Sequence, residues 1–436
     1  MLLTLMGSIN GRFKIAILST AVVSLSAALS PTIHGQQFEP VTDEILENPS
    51  SADWLHWRRT LDGWGYSPLD QINRENVHQI QLAWSWQMRP GLSEPTPLVY
   101  KGVMYLPNPD GFVQAVDALT GDRLWEFRKV FENTPDDSFR NRMRSLAIYG
   151  SNIYVTTADA HLIALDAQSG EVVWDHVVAD HKLGYRYTSG AIVVQGKIVA
   201  GITGCERYKN EVCFISAHDP STGRELWRTS TIAEPGTAGG DTWGDLPLMF
   251  RAGGDAWIPG SYDKTTDLIY WSTAQAKPWG RVSRGTDGDA LYTNSVLAIE
   301  PDTGEITWYY QFIPGESHDL DEVFESLLIN NRGRLSVFKI GKLGILWEID
   351  ASTGAFVDAH DLGFQTLVDL DAETGTVLWE TILGSQITGY PVTYAVGGRQ
   401  YLTVPVGGVD NRLATYTPEL EAPNGSNMLV TFALPN

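Results

Sequence analysis

Three short segments of this chain carry residue types that together could hold a hard cation or move a proton. Gly201-Ile-Thr-Gly-Cys-Glu206 closes an apolar run with glycines that let a ligand approach the backbone, and then presents the Glu206 carboxylate. Trp271 to Trp279 contains Gln275, a neutral amide oxygen. Ile313 to Glu325 sets Asp319 and Asp321 two residues apart, and in extended backbone such side chains share a face. Carboxylates with an amide oxygen make a hard-cation donor set. Taken singly, each acid reads first as a solvated loop charge.

The elements that must position these residues are set by a repeat. Ala115 to Trp125 reads Ala-Val-Asp-Ala-Leu-Thr-Gly-Asp-Arg-Leu-Trp. The pattern Asp/Glu-x-x-Thr/Ser-Gly-x-x-x-Trp returns at Asp166 to Trp174, Asp219 to Trp227, Glu300 to Trp308 and Asp371 to Trp379, with a weakened copy at Asp350 to Asp358. Thr-Gly reads as a tight turn between two strands, and each Trp opens the next strand. Such a unit cannot bury its apolar face alone, and a spacing of about 50 residues suits four-stranded propeller blades with a Trp wedged between neighbours. The longer step from Trp227 to Trp308 implies one blade carrying an insertion. Hairpins are expected around Lys101-Gly102, across Leu146 to Thr156, and around Gln195-Gly196 and Gly397-Gly398, and the Trp-rich stretch Ala52 to Met88 is expected to supply an outer strand that closes the ring. The fold class is therefore all-β, a β-propeller with tryptophan-docking motifs.

Length and charge bound the function. The repeats run through nearly all 436 residues, which argues for one large domain over residues 36–436. A net charge of −21 disfavours nucleic acid and anionic membrane and suits a basic protein partner. Arg12 and Lys14 precede the apolar run Ile15 to Leu29 and a small-residue segment, which reads as a secretory signal peptide over residues 1–35. That run is too short for a membrane span, so export to the periplasm is expected. The two cysteines, Cys205 and Cys213, either close a local disulfide or lie buried as free thiols. Near the end, Asp358 and Trp379 occupy equivalent motif positions with too few residues between them for a full blade, so the ring has fewer blades or has lost a segment around residues 364–367.

From Asp53 to about Gln365, and again from Leu367 to Gly407, the chain resembles the quinoprotein alcohol dehydrogenases that use pyrroloquinoline quinone (PQQ), a family of eight-bladed propellers. By motif, the resemblance implies quinone contacts at Glu94, Arg144, Thr157, Thr203, Gly204, Cys205, Trp257 and Lys342, with Trp257 stacking on the flat ring. It implies metal ligands at Glu206, Gln275, Asp319 and Asp321, and a catalytic base at Asp319. In that family a cation polarises the quinone, the aspartate takes the hydroxyl proton of a small primary alcohol, hydride passes to the ring, and electrons leave to a soluble cytochrome c. Asp321, two residues after the catalytic aspartate, is the feature of the branch that uses a lanthanide(III) ion rather than Ca2+. The sequence leaves the oligomeric state open, with a homodimer among the options. The family's adjacent Cys-Cys pair is absent, and Gln275 stands where asparagine is usual. Two alternatives remain open: a truncated, inactive relative, and a non-catalytic propeller scaffold of the kind that shares these Trp motifs.

Overall fold

The computed structural model describes residues 38–131, 142–361, 378, 379, 381, 383, 387–407 and 427–435. The expected signal peptide and the suspected deletion near residues 364–367 lie outside the described residues. Among the described residues no helix is long and apolar enough to cross a membrane.

Among the described residues, six four-stranded antiparallel sheets form the fold. Blade 1 runs Leu98–Tyr100, Val103–Asn108, Phe112–Asp117 and Arg123–Arg128, and its four strands are neighbours in chain order. Blade 2 runs from Ala147–Tyr149 to Val172–Val177, blade 3 from Ile192–Val194 to Glu225–Ser230, blade 4 from Ser261–Asp263 to Ile306–Gln311, and blade 5 from Leu327–Asn331 to Phe356–Asp361. Blade 6 is assembled from both ends of the chain. Val392–Val396, Arg399–Val406 and Met428–Ala433 are completed by the outer strand Gln81–Gln87, which pairs antiparallel with Met428–Ala433. The Trp-rich N-terminal stretch thus supplies an outer strand, as its sequence suggests.

The expected hairpins form at these positions. Lys101 and Gly102 take φ of 46° and 80°, Gln195 and Gly196 47° and 69°, and Gly397 and Gly398 59° and 77°, the signs that a two-residue turn needs to match strand twist. Second and third strands such as Val103–Asn108 and Phe112–Asp117 are buried on both faces, because each sheet is covered by its neighbours, while the outermost Val172–Val177 is mostly exposed. The step from Trp227 to Trp308 contains a single blade, lengthened by residues 231–260 and 273–294, which build a small satellite core around Trp243, Ile232 and Leu291.

Docking of blade on blade follows the repeat. The motif aspartate folds its own turn: Asp117 Oδ1 accepts the amides of Leu119 at 2.8 Å and Thr120 at 3.1 Å. The Trp that follows reaches into the next blade. Trp84, Trp125, Trp174, Trp227 and Trp308 donate Nε1–H to the carbonyls of Ala118, Ala167, Pro220, Pro301 and Ala351, each at 2.8–3.3 Å. Their rings lie on the turn glycines: a Cβ at Gly121, Gly170, Gly223, Gly304 or Gly354 would come within 2.5–2.8 Å of the indole. The blades therefore dock in the order 6-1-2-3-4-5. Blade 5 has Asp358 where this Trp should be, so the series stops there, and its last strand, Phe356–Asp361, is largely exposed. The far face of blade 6 is covered instead by Ile72, Val77, Leu383 and Trp379, with Trp379 edge-on to Phe432 at 5.2 Å.

Candidate active site

In every blade the innermost strand starts, and the second strand ends, at the same face of the ring, because the two are antiparallel neighbours. The residues singled out from sequence lie on the loops of that face. Glu94, Arg144, Trp257 and the Asp319–Asp321 pair precede the innermost strands of blades 1, 2, 4 and 5. Thr157, the Thr203–Glu206 segment, Gln275 and Lys342 follow the second strands of blades 2, 3, 4 and 5. Distant segments are thereby brought to one place by topology alone.

A cavity of about 410 Å³ opens here, and Arg144, Thr203, Trp257, Gln275, Asp319, Asp321 and Lys342 all line it. Arg142, Arg186, Thr188, Asp255, Ala274 and Lys277 complete the wall. A second cavity of about 400 Å³ adjoins it, sharing Gln275 and Lys277 and carrying Glu206 and Trp279 on its far side. The remaining sequence candidates stand behind the wall. Glu94 accepts ion pairs from Arg142 at 2.9 Å and Arg144 at 2.8 Å, fixing both guanidiniums. Thr157 is buried and donates to Asp159. Gly204 and Cys205 give their amides to Asp255 Oδ1, at 2.7 and 3.4 Å. Cys205 forms a disulfide with Cys213, Cα to Cα 5.4 Å, which settles the alternative in favour of the local loop.

The charges are paired and mostly withheld from water. Arg144 donates to Thr188 O at 2.7 Å and lies 4.9 Å from the Trp257 ring centre, a cation–π contact. Burial pulls its guanidinium down to about 10, with Glu94 opposing that shift. Asp321 is buried; Oδ1 accepts the Gln275 amide at 3.2 Å and Oδ2 accepts from Lys342 Nζ at 2.8 Å. Burial raises its carboxyl above the ordinary value, with Lys342 opposing. Asp319 is different: its side chain is 51 % exposed, it takes φ of 62°, and it accepts from Gln275 Nε2 while Lys342 Nζ donates to its backbone carbonyl at 2.9 Å. Asp255 is buried, and the cost of burial is overcome by Lys277 and the two amides, which leave its carboxyl below the usual range.

Sequence reasoning missed Arg142, Arg186, Asp255 and Lys277. Only Arg142 left a signal, as the partner of Arg144 in Arg-Met-Arg. Asp255 and Lys277 read as ordinary loop charges, and the 3.0 Å pair between them exists only in the folded chain.

This wall suits a flat polyanion. Arg142, Arg144, Arg186 and Lys342 offer cationic donors, and Trp257 offers a broad apolar face. PQQ, a planar tricarboxylate, fits that chemistry. The donor set for a metal ion, by contrast, is not assembled. Glu206 pairs with Lys277, Asp321 with Lys342, and Asp319 with Gln275. Among the described residues only Cys205, Cys213 and Asp255 bring three Cys, His or carboxylate atoms within 4.8 Å of one another, and both sulfurs are tied up in the disulfide.

Comparison with known proteins bears on the chain as a whole. A profile of the PQQ family described as glucose/ethanol/alcohol dehydrogenase, β-propeller domain, matches residues 54–359. The quinohemoprotein alcohol dehydrogenase ADH IIB of Pseudomonas putida is 35 % identical over 350 residues, covering 75 % of this chain and 50 % of its own. The quinoprotein alcohol dehydrogenase PedH of Pseudomonas putida is 34 % identical over 341 residues, 72 % of this chain and 56 % of its own. The chain thus spans about half the length of these relatives. In three dimensions it is similar to a europium-containing methanol dehydrogenase, with a TM-score of 0.78 at 21 % identity over 90 % of this chain and 100 % of the other, a likeness of fold.

Proposed function

We propose, from the premise that this chain belongs to the PQQ glucose/ethanol/alcohol dehydrogenase β-propeller family, that it binds PQQ in the Arg144–Trp257 cavity and oxidises a small primary alcohol to the aldehyde. The observation that carries this reading is the convergence of Arg144, Trp257, Asp319 and Lys342 on one cavity from three blades. When bound, PQQ supplies the two-electron acceptor, and the protein binds and orients it. Arg144, held by Glu94, offers its guanidinium to a ligand carboxylate, and Trp257 offers its ring face. Lys342 reaches the same wall with donors already aimed inward between Asp319 and Asp321.

Asp319 is the base. Its carboxylate stands at the open rim, where an alcohol can reach it, and Gln275 Nε2 donates to one of its oxygens. An ionised carboxylate accepts the hydroxyl proton as the C–H bond yields its hydride. Asp321, buried and paired with Lys342, is poorly placed for that role and orients the lysine. Export to the periplasm, an external cytochrome c acceptor and a homodimeric assembly belong to this proposal, supported by the basic-then-apolar leader and the family premise. The lanthanide expectation rests on Asp321 alone, and no step here passes through a metal.

The test is alcohol-dependent dye reduction by protein supplied with PQQ. Wild type is expected to turn over, and Asp319→Asn, which keeps the Gln275 contact but cannot take a proton, to lose about 100-fold or more in rate. Equal rates for the two proteins would remove Asp319 from the chemistry.

A further inference from the structure

Lys277 stands beside Glu206, one of the residues expected to hold a cation. Its ammonium lies 2.9 Å from Glu206 Oε1 and 3.0 Å from Asp255 Oδ2, joining an exposed carboxylate to a buried one. The two exposures, 64 % and 8 %, place it at the boundary between solvent and interior. Gln275, two residues earlier, turns its Nε2 to Asp319 and leaves Oε1 buried without a partner. Gln275 and Lys277 together form the partition between the two cavities. The lysine is fixed from behind: its own amide donates to Ala252 O at 2.8 Å, and the Gln275 carbonyl accepts from Gly254 at 3.1 Å.

We propose that the Lys277 ammonium replaces a bound metal ion, supplying the positive charge beside Glu206 and Gln275, so that this chain takes its quinone without calcium or a lanthanide. A metal at Glu206 would sit within hydrogen-bond reach of an ammonium and be repelled by it. Displacing that ammonium would strip a buried carboxylate of its partner, which is strongly unfavourable. Each of these carboxylates also already has an ammonium partner without a metal: Lys277 joins Glu206 to Asp255, and Lys342 joins Asp319 to Asp321. Asp255 and Lys277 thus act as one unit, neither of use at this site without the other. The statement about quinone rests on the function proposed above; the statement about metal does not.

The experiment has a metal arm and a quinone arm. Terbium(III) alone is added to the full chain, and emission sensitised by Trp279, which lines the same pocket as Glu206, is recorded. Wild type is expected to show no saturable site, and Lys277→Ala to gain one at least about tenfold tighter than any wild-type signal. The double variant Asp255→Asn with Lys277→Gln removes the buried pair together and serves where the single change does not fold. A saturable terbium site in wild type that Lys277→Ala leaves unchanged overturns the proposal. In the quinone arm, PQQ is titrated in chelator by quenching of tryptophan emission. Adding CaCl2 or LaCl3 is expected to change the wild-type affinity by less than about threefold, and Lys277→Ala in chelator to lose at least about tenfold. Wild type that binds PQQ only with added metal overturns the proposal while keeping the quinone assignment. Failure to bind PQQ under any condition, with the terbium result as expected, removes the quinone assignment and leaves the lysine in the cation's place.

Discussion

Replacing Gly354 by Ala tests how the blades are held together. Gly354 closes the turn between the third and fourth strands of blade 5 at φ of +71°, and a Cβ there would lie 2.5 Å from Trp308 Cε3 and 2.8 Å from Cδ2. Trp308 comes from blade 4, is buried, and donates to Ala351 O at 3.1 Å. Two costs follow. An alanine in the left-handed region loses about 1 kcal/mol. Ordinary carbon contacts are about 3.5–4 Å, so the indole must also back away by about an ångström, forfeiting part of the 3–5 kcal/mol that deleting a buried Trp would cost, or about 2 kcal/mol. Gly333 provides the control. It lies in the first hairpin of the same blade at φ of +85°, with nothing within 4 Å of its would-be Cβ, so Gly333→Ala bears the backbone cost alone. Urea denaturation is expected to show losses of about 3 kcal/mol for Gly354→Ala and about 1 kcal/mol for Gly333→Ala. In a Trp308→Ala background the excess should vanish, because the clashing ring is gone. Equal losses for the two glycines in the wild-type background, within about 0.5 kcal/mol, would refute docking through these turns.

Acid should destabilise the fold through buried histidines. Burial lowers His218 to about 4, and its ring is held neutral with Nδ1–H donating to Gly223 O and Nε2 accepting from Ser216 Oγ. The unfolded chain protonates near pH 6.5, so this stability is full above that pH and is lost as pH falls toward 4, up to about 3 kcal/mol. His218→Gln is expected to flatten the pH dependence of the urea midpoint over that window, and an unchanged slope would count against it. Reducing the Cys205–Cys213 disulfide, which closes a loop with a sequence separation of 8, should cost about 2.5 kcal/mol. It should also weaken PQQ binding, because the same loop gives Asp255 two amides; calorimetry with and without reductant, on protein checked for free thiols, measures both effects.

The propeller was legible because its signals are local. Aspartate, turn glycine and tryptophan sit within nine residues, and each does its work within that span or against the next turn, so reading one motif correctly reads them all. The loss of the docking Trp at Asp358 was equally plain, and its physical consequence is that the series of indole-to-turn contacts ends at blade 5. The cavity was partly legible, since Arg144, Trp257, Asp319 and Lys342 were found by motif. Asp255 and Lys277 were not, because their meaning lies in a contact across the loops of blade 4 that leaves two unremarkable charges in the sequence. Glu206 shows the converse: its residue type suits a metal ligand, but the fold hands it to Lys277.

The most direct test of the central claim is equilibrium binding of PQQ to the purified chain, read from the absorbance of quinone retained after desalting and from quenching of tryptophan emission. One equivalent should be retained, and Arg144→Ala and Trp257→Ala should each weaken binding at least about tenfold. Thr157→Ala, whose hydroxyl faces Asp159 behind the wall, should bind within about twofold of wild type. Wild-type protein that retains no quinone, with or without added metal, would contradict the account.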